Sequence, residues 1–214
     1  MLDQATRLVV IRHGETLWNR ETRIQGHIDI PLSPLGLAQA ERLAQALADE
    51  PLTAVYASDL SRARMTAQAV AAVHGLPVHE DPGLRERAFG RFEGLTWQQI
   101  DQGFPGDADR WRRREPDFEV GGGESLIQFN RRCLDAMQRA AGAHRGGCIA
   151  LVAHGGVLDC FYRAATRVAL DAPRSWQLGN ATINRLLATP QGLTLVGWND
   201  DHHLAGLSAD DVAA

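Results

Sequence analysis

The 214-residue chain is short of cysteine, of positive charge and of long apolar runs, and each shortage closes a route. Its three cysteines, Cys133, Cys148 and Cys160, are odd in number and lack CxxC or metal-ligand spacing. They read as reduced, partly buried thiols of a cytoplasmic protein. The net charge of −4 argues against a nucleic-acid binder that relies on a global positive field, so no nucleic-acid partner is expected. No apolar run approaches the ~18 residues of a membrane span. The opening MLDQATRLVV has no basic segment followed by a long apolar core, so it does not read as a secretory signal. Internal repeats and low-complexity linkers are also missing, so residues 1–214 are read as one domain.

What is there is a regular alternation. LVVI (Leu8 to Ile11) reads as a buried strand. SPLGLAQAERLAQALADE then opens a helix, with Ser33 as N-cap and Pro34 where a missing N–H costs little. TAVYAS (Thr53 to Ser58) is a second strand, and the helix after it ends near Gly75. A short strand around Val78 precedes a segment rich in Gly, Pro, Trp and Arg, residues 81–123, with short helices expected at 96–101 and 109–114. Such a segment in a regular domain reads as a lid or pocket wall. Helices over 124–144 and 155–169 flank the strand CIALVA, and 182–188 with 193–198 form a closing hairpin around TPQG. The expected fold is α/β: a three-layer α/β/α sandwich with a mostly parallel central sheet. The tail SADDVAA, from Ser208, is expected to fray.

Three abrupt polar signals share one position in this layout. Arg12 and His13 follow the first strand, Arg62 and Arg64 lie in the first turn after the second, and His154 with Gly155 and Gly156 follows CIALVA. Ligands bind at the carboxyl edge of an open parallel sheet, so these segments converge on one cleft if their strands are neighbours. Arginines, histidines and helix N-termini together suit a dianionic phosphate.

RHGET (Arg12 to Thr16) with Trp18 and Asn19, then RIQGHIDIPLSPLG (Arg23 to Gly36), resembles the start of the histidine phosphatases, the phosphoglycerate-mutase-like superfamily. YASDLSRARMTA, LRERAFGRFEG, GGES and VAHGG are similar to its later motifs, in the same order, so the resemblance spans residues 8–204. It implies that His13 is the nucleophile, that Arg12, Arg62 and His154 clamp the phosphate oxygens, and that Glu86 is the general acid and then the base. Asn19, Gln25, Gly26 and Gly155 fall among its substrate-binding positions. Two guanidinium groups make a metal unnecessary, and neither metal nor other cofactor is expected. Homodimers are common in the family, though nothing here demands one.

Other polar residues have plainer readings. Arg64 points elsewhere on its helix and suits a salt bridge, and Glu93 is read as structural. In WRRRE, Arg112, Arg113 and Arg114 are read as a solvated face, or alternatively as a cover that binds a substrate carboxylate or second phosphate. In DDHH (Asp200 to His203), adjacent histidines on an extended segment point apart, which disfavours a metal site. The five tryptophans are read as packing residues, with Trp18 and Trp111 the best placed to touch substrate.

The preferred function is a phosphomonoesterase acting on a small phosphorylated metabolite. The alternative is a 2,3-bisphosphoglycerate-dependent mutase; mutases of the family usually carry an extended insertion after the general acid, and only a compact segment separates Gly94 from Glu124. An inactive phospholigand-binding module is disfavoured because His13, Arg12, Arg62, Glu86 and His154 are all in place.

Overall fold

The computed structural model describes residues 5–209, so the tail expected to fray lies, from residue 210, outside the described residues. Six strands form one sheet: β1 (Thr6–Arg12), β2 (Ala54–Ala57), β3 (Val78–Glu80), β4 (Cys148–Ala153), β5 (Ile183–Thr189) and β6 (Gly192–Asp200). Their order is β3-β2-β4-β1-β5-β6. The pairs β3/β2, β2/β4 and β4/β1 are parallel, whereas β5 and β6 close the sheet antiparallel.

Among the described residues seven α-helices accompany the sheet: α1 (Leu17–Arg20), α2 (Pro34–Ala46), α3 (Ser61–His74), α4 (Trp97–Gly103), α5 (Pro105–Arg112), α6 (Leu126–Ala143) and α7 (Gly155–Thr166). The apolar run of β1 is buried on both sides because side chains alternate across a strand. Val9 and Ile11 join Leu43 from α2 and Leu47 at its C-cap with Ala63 and Ala67 from α3. Leu8 and Val10 join Phe129 and Cys133 from α6 with Val157 and Phe161 from α7. Burying each such aliphatic side chain contributes about 1.5–3 kcal/mol, so the alternation fixes three layers and the register of the central strand. All three cysteines are free and buried.

Local signals set the helix ends. Ser33 Oγ accepts from Gly36 N at 3.0 Å with Pro34 in the first turn, as its sequence implies. Ser125 and Gln128 form a capping box, so the helix expected from 124 starts at Leu126. The helix expected to reach 169 stops at Thr166, where Arg167 turns left-handed (φ 60°). The helix expected over 109–114 instead runs from Pro105, which supplies its first turn, to Arg112. The single turn α1 was not foreseen; its Thr16/Asn19 capping box is too short to leave a periodic signal. Within residues 81–123, Phe92, Ile100, Ala108, Phe118 and Val120 bury a third cluster, so this segment has a small core of its own.

This topology brings the polar strand ends together. Arg12 and Ala153 are partners across β1/β4, His13 N continues the ladder to Ala153 O at 2.9 Å, and Ala57 of β2 pairs with Val152. The segments bearing His13, His154 and Arg62 therefore leave three adjacent strands at one edge. Two glycines let the first of them lie flat against the start of α2. A β-carbon at Gly14 would sit 2.5 Å from Gly36 O, and one at Gly36 would overlap Glu15 O.

Gly36→Ala should therefore destabilise the protein by about 1–3 kcal/mol through overpacking against backbone that cannot yield. Urea unfolding beside Gly103→Ala, a position with open space, checks this; equal stability of the two variants would refute the close approach.

Candidate active site

A cleft of about 560 Å³ opens at this edge, and Arg12, His13, Arg62 and Glu86 line its deep end together with Asn19, Gln25, Gly26 and Gly155. The chain contains no lysine, so every Lys/Arg-type cation here is a guanidinium. His154 is not on the wall. It lies fully buried directly behind His13, with ring centroids 5.1 Å apart.

His13 is buried. Its Nδ1 lies 2.7 Å from Gly14 O. A carbonyl can only accept, so Nδ1 carries the proton and Nε2 keeps its lone pair. Burial first, then the charges of Arg62 and Arg12, push the His13 pKa well below 6.5. Burial, Arg62, His13 and Arg12 do the same to His154. Both ring nitrogens of His154 lack a partner within the chain.

Arg62 is fully buried, yet the groups that hold it are backbone carbonyls. Nη1 donates to Ile28 O at 3.0 Å and Nη2 to Gly26 O at 2.8 Å, so the loop of RIQGHID is built as its cradle. Burial lowers its pKa to about 10, opposed by Glu86 and Asp29, so it stays cationic at neutral pH. Arg12 donates through Nη1 to Leu178 O, and burial lowers its pKa as well. The Nε atoms of both arginines are buried and unpartnered.

Glu86 is held over this pair. Its Oε2 accepts from Gly156 N, at the start of α7, at 3.0 Å, and its Oε1 accepts from Arg87 N at 2.8 Å. A β-carbon on Gly156 would overlap Glu86 Oε1, which explains why the second glycine of VAHGG is needed. Asn19 Oδ1 accepts from Thr16 N at 3.0 Å and from Asn180 Nδ2 at 3.3 Å, which leaves its NH₂ for the cleft. Asn180 also donates to His13 O at 2.9 Å. It supports two site residues, and nothing in the surrounding GNAT marked it out.

Other residues sort themselves geometrically. Arg64 pairs with Glu80 at 3.8 Å, and Glu93 accepts from His27 N and Phe89 N, so both take the plainer roles read for them. The triple arginine divides. Arg112 pairs with Asp101 and Asp109 and Arg113 with Glu115, both facing solvent, whereas Arg114 turns into the cleft. Trp18 is a correction: it lies against Arg23, and the cleft is lined instead by Trp97, Trp111 and Trp176. His202 pairs with Asp200, and His203 donates to Ala181 O, so the two histidines do diverge. Among the described residues no helix is long and apolar enough to cross a membrane.

Known proteins resemble the chain in sequence and in fold. A family model for the histidine phosphatase superfamily, branch 1, matches residues 8–201. Phosphoglycerate mutase-like protein 4 of Arabidopsis thaliana is 39% identical over 92% of this chain and 86% of its own length. A metal-independent phosphoserine phosphatase of the same plant is 37% identical over 95% of this chain and 85% of its own. The solved structure of a mycobacterial glucosyl-3-phosphoglycerate phosphatase superposes with a TM-score of 0.80 at 33% identity, covering 92% of this chain and all of that one.

Depressed imidazole pKa values have a measurable sign. In ligand-free protein, histidine NMR should show no titration of His13 or His154 near pH 6.5, while His202, raised by Asp200, titrates above it. Below that pH the unfolded chain binds more protons at these two positions than the native one. Stability should accordingly fall as pH drops from 6.5 toward the native values. A His13 midpoint at or above 6.5 would overturn the assignment.

Proposed function

The chain belongs to the histidine phosphatase superfamily, and from that premise we propose that it hydrolyses a phosphate monoester of a small metabolite through a phosphohistidine at His13. One observation carries the reading: the hydrogen bond to Gly14 O frees Nε2 of a neutral imidazole beside two buried guanidinium groups. Such an imidazole is a competent nucleophile at neutral pH.

In the first half-reaction Nε2 attacks phosphorus in line. The N–P bond forms as the ester P–O bond breaks, and Glu86 gives the departing oxygen a proton. Water then attacks phospho-His13 and returns a proton to Glu86; the N–P bond breaks and inorganic phosphate leaves. Charge on the equatorial oxygens is met by Arg12, Arg62 and the positive end of α7 at Gly155, groups fixed before the substrate arrives. Those guanidinium groups supply the stabilisation that a metal gives other phosphotransferases. His154, buried behind His13, backs that ring, and the free NH₂ of Asn19 is a further donor to the seated phosphate. Residues 81–123 serve as the pocket wall. Three buried free thiols fit a reducing, cytoplasmic setting.

The name of the plant mutase-like relative supports a second reading, in which a substrate hydroxyl rather than water takes the phosphate. The compact wall favours water. ³¹P spectra should show inorganic phosphate released from a panel of alkyl and sugar phosphates. Rapid conversion of 3-phosphoglycerate to 2-phosphoglycerate with a trace of 2,3-bisphosphoglycerate, and little free phosphate, would make the chain a mutase. His13→Ala should lose turnover at least about a hundredfold; a smaller loss removes His13 as nucleophile. Glu86→Gln should slow an alkyl phosphate by about 10²–10⁴-fold but p-nitrophenyl phosphate much less, because that leaving group needs no proton. Equal losses on both would sink the role of Glu86.

A further inference from the structure

Thr66 lies one turn beyond Arg62 on α3 and is fully buried, yet the reaction above gives it no part. Its hydroxyl has one proton to donate and two lone pairs to accept with. The proton goes to Arg62 O at 2.8 Å. With that proton spent, the oxygen accepts from Gly14 N at 3.0 Å. One side-chain atom therefore joins the backbone of a phosphate-clamping arginine to the residue whose carbonyl fixes the His13 tautomer.

Gly14 needs such a restraint. Its close approach to Gly36 O excludes a β-carbon, so the position has to be glycine, and glycine has the freest backbone of all residues. That freedom sits between the nucleophilic ring and the carbonyl that orients it. The peptide joining His13 to Gly14 is instead pinned at both ends. On one side His13 O accepts from Asn180 Nδ2 at 2.9 Å and from Ala181 N at 3.3 Å. On the other, Gly14 N–H donates to Thr66. A peptide unit is planar, so holding both ends fixes its orientation. Gly14 O is thereby kept 2.7 Å from His13 Nδ1. Without the hydroxyl the amide end loses the acceptor that holds it, and a buried N–H left without one is costly enough to turn the peptide.

Resting on the phosphatase reading, we propose that Thr66 is a positioning residue that holds His13 in its attacking tautomer by way of Gly14. It touches neither the substrate nor the reacting atoms. It keeps the proton on Nδ1, and so leaves the lone pair of Nε2 free for phosphorus. The guanidinium of Arg62 does not depend on this hydroxyl, because Gly26 O and Ile28 O hold it. Losing the hydroxyl should therefore slow attack and leave phosphate binding in place.

Three variants test this. Thr66→Val keeps the side-chain shape without the hydroxyl, Thr66→Ala removes the hydroxyl with no methyl to misplace, and Thr66→Ser retains it. ¹⁵N NMR of histidine-labelled resting enzyme reads the tautomer directly. Wild type should carry the His13 proton on Nδ1, whereas the valine and alanine variants should show a population protonated on Nε2. Both should lose about 10–100-fold in kcat/KM for p-nitrophenyl phosphate, the scale of a displaced reacting group. Their calorimetric affinity for inorganic phosphate should stay within about twofold of wild type. Thr66→Ser should recover most of the rate and the single tautomer. If the extra methyl of valine prevents folding, alanine, the best helix former, decides the matter. A folded variant lacking the hydroxyl but keeping the wild-type tautomer and rate would overturn the proposal. So would a loss of rate matched by an equal loss of phosphate affinity, which marks general damage to the pocket. The tautomer is read without substrate, so the two readings fail separately. A wild type with the Nδ1 proton that hydrolyses no ester sinks the phosphatase reading alone, and an unchanged tautomer in the variants sinks the role of Thr66.

Discussion

The parallel pairing of β1 with β4 is the constraint on which the rest of the site depends. With Arg12 opposite Ala153 and His13 N bonded to Ala153 O, the two chains leave the sheet flush, and His13 and His154 are forced side by side. β2, on the other flank of β4, delivers Arg62 to the same edge. A slip of one residue would turn every β1 side chain to the opposite face, exposing one apolar set and burying polar groups in its place. The apolar alternation of the core therefore holds the site in register.

A consequence is a cluster of cations and imidazoles shut away from water, which a fold accepts only with compensation. Here the compensation is mostly backbone. Gly26 O and Ile28 O hold Arg62, Leu178 O holds Arg12, and Gly14 O fixes the His13 tautomer. Carbonyl dipoles stabilise the guanidinium groups without neutralising them, as an ion pair with a carboxylate would. Glu86 is close enough to act on both arginines but is itself held by the amides of Gly156 and Arg87. The positive field thus stays available to an incoming dianion, and the histidines stay neutral, as nucleophilic nitrogen must be.

The two ends of the cleft obey different chemistry. The deep end is made by strand ends and glycine-permitted contacts, and its charge suits a phosphate whatever that is attached to. The distal end is made by side chains from the turn after α5, from α7 and from the connection after α7, with Arg114 and Asp159 joined across 45 residues of sequence. α7 links the two ends: Gly156 at its start holds Glu86, and Asp159 one turn on holds Arg114.

Much of this was legible in the sequence. The alternation of elements, the caps at Ser33 and Gly75, and the polar breaks at Arg12, His13, Arg62 and His154 follow from local rules, because strand burial, capping and motif order act over short stretches. The division of Arg112, Arg113 and Arg114 was not legible, nor the packing of Trp18, the support from Asn180 or the placing of Asp159, Arg174 and Trp176 along the cleft. Helical spacing does not say where a helix ends, and Arg114 faces the cleft only because α5 stops at Arg112 and the backbone turns left-handed. The sequence by itself determined which elements form and which residues can handle a phosphate. Only the tertiary structure decided which nitrogen of His13 is free and which polar groups share a wall, because both rest on contacts between residues the chain does not hold near one another until it folds.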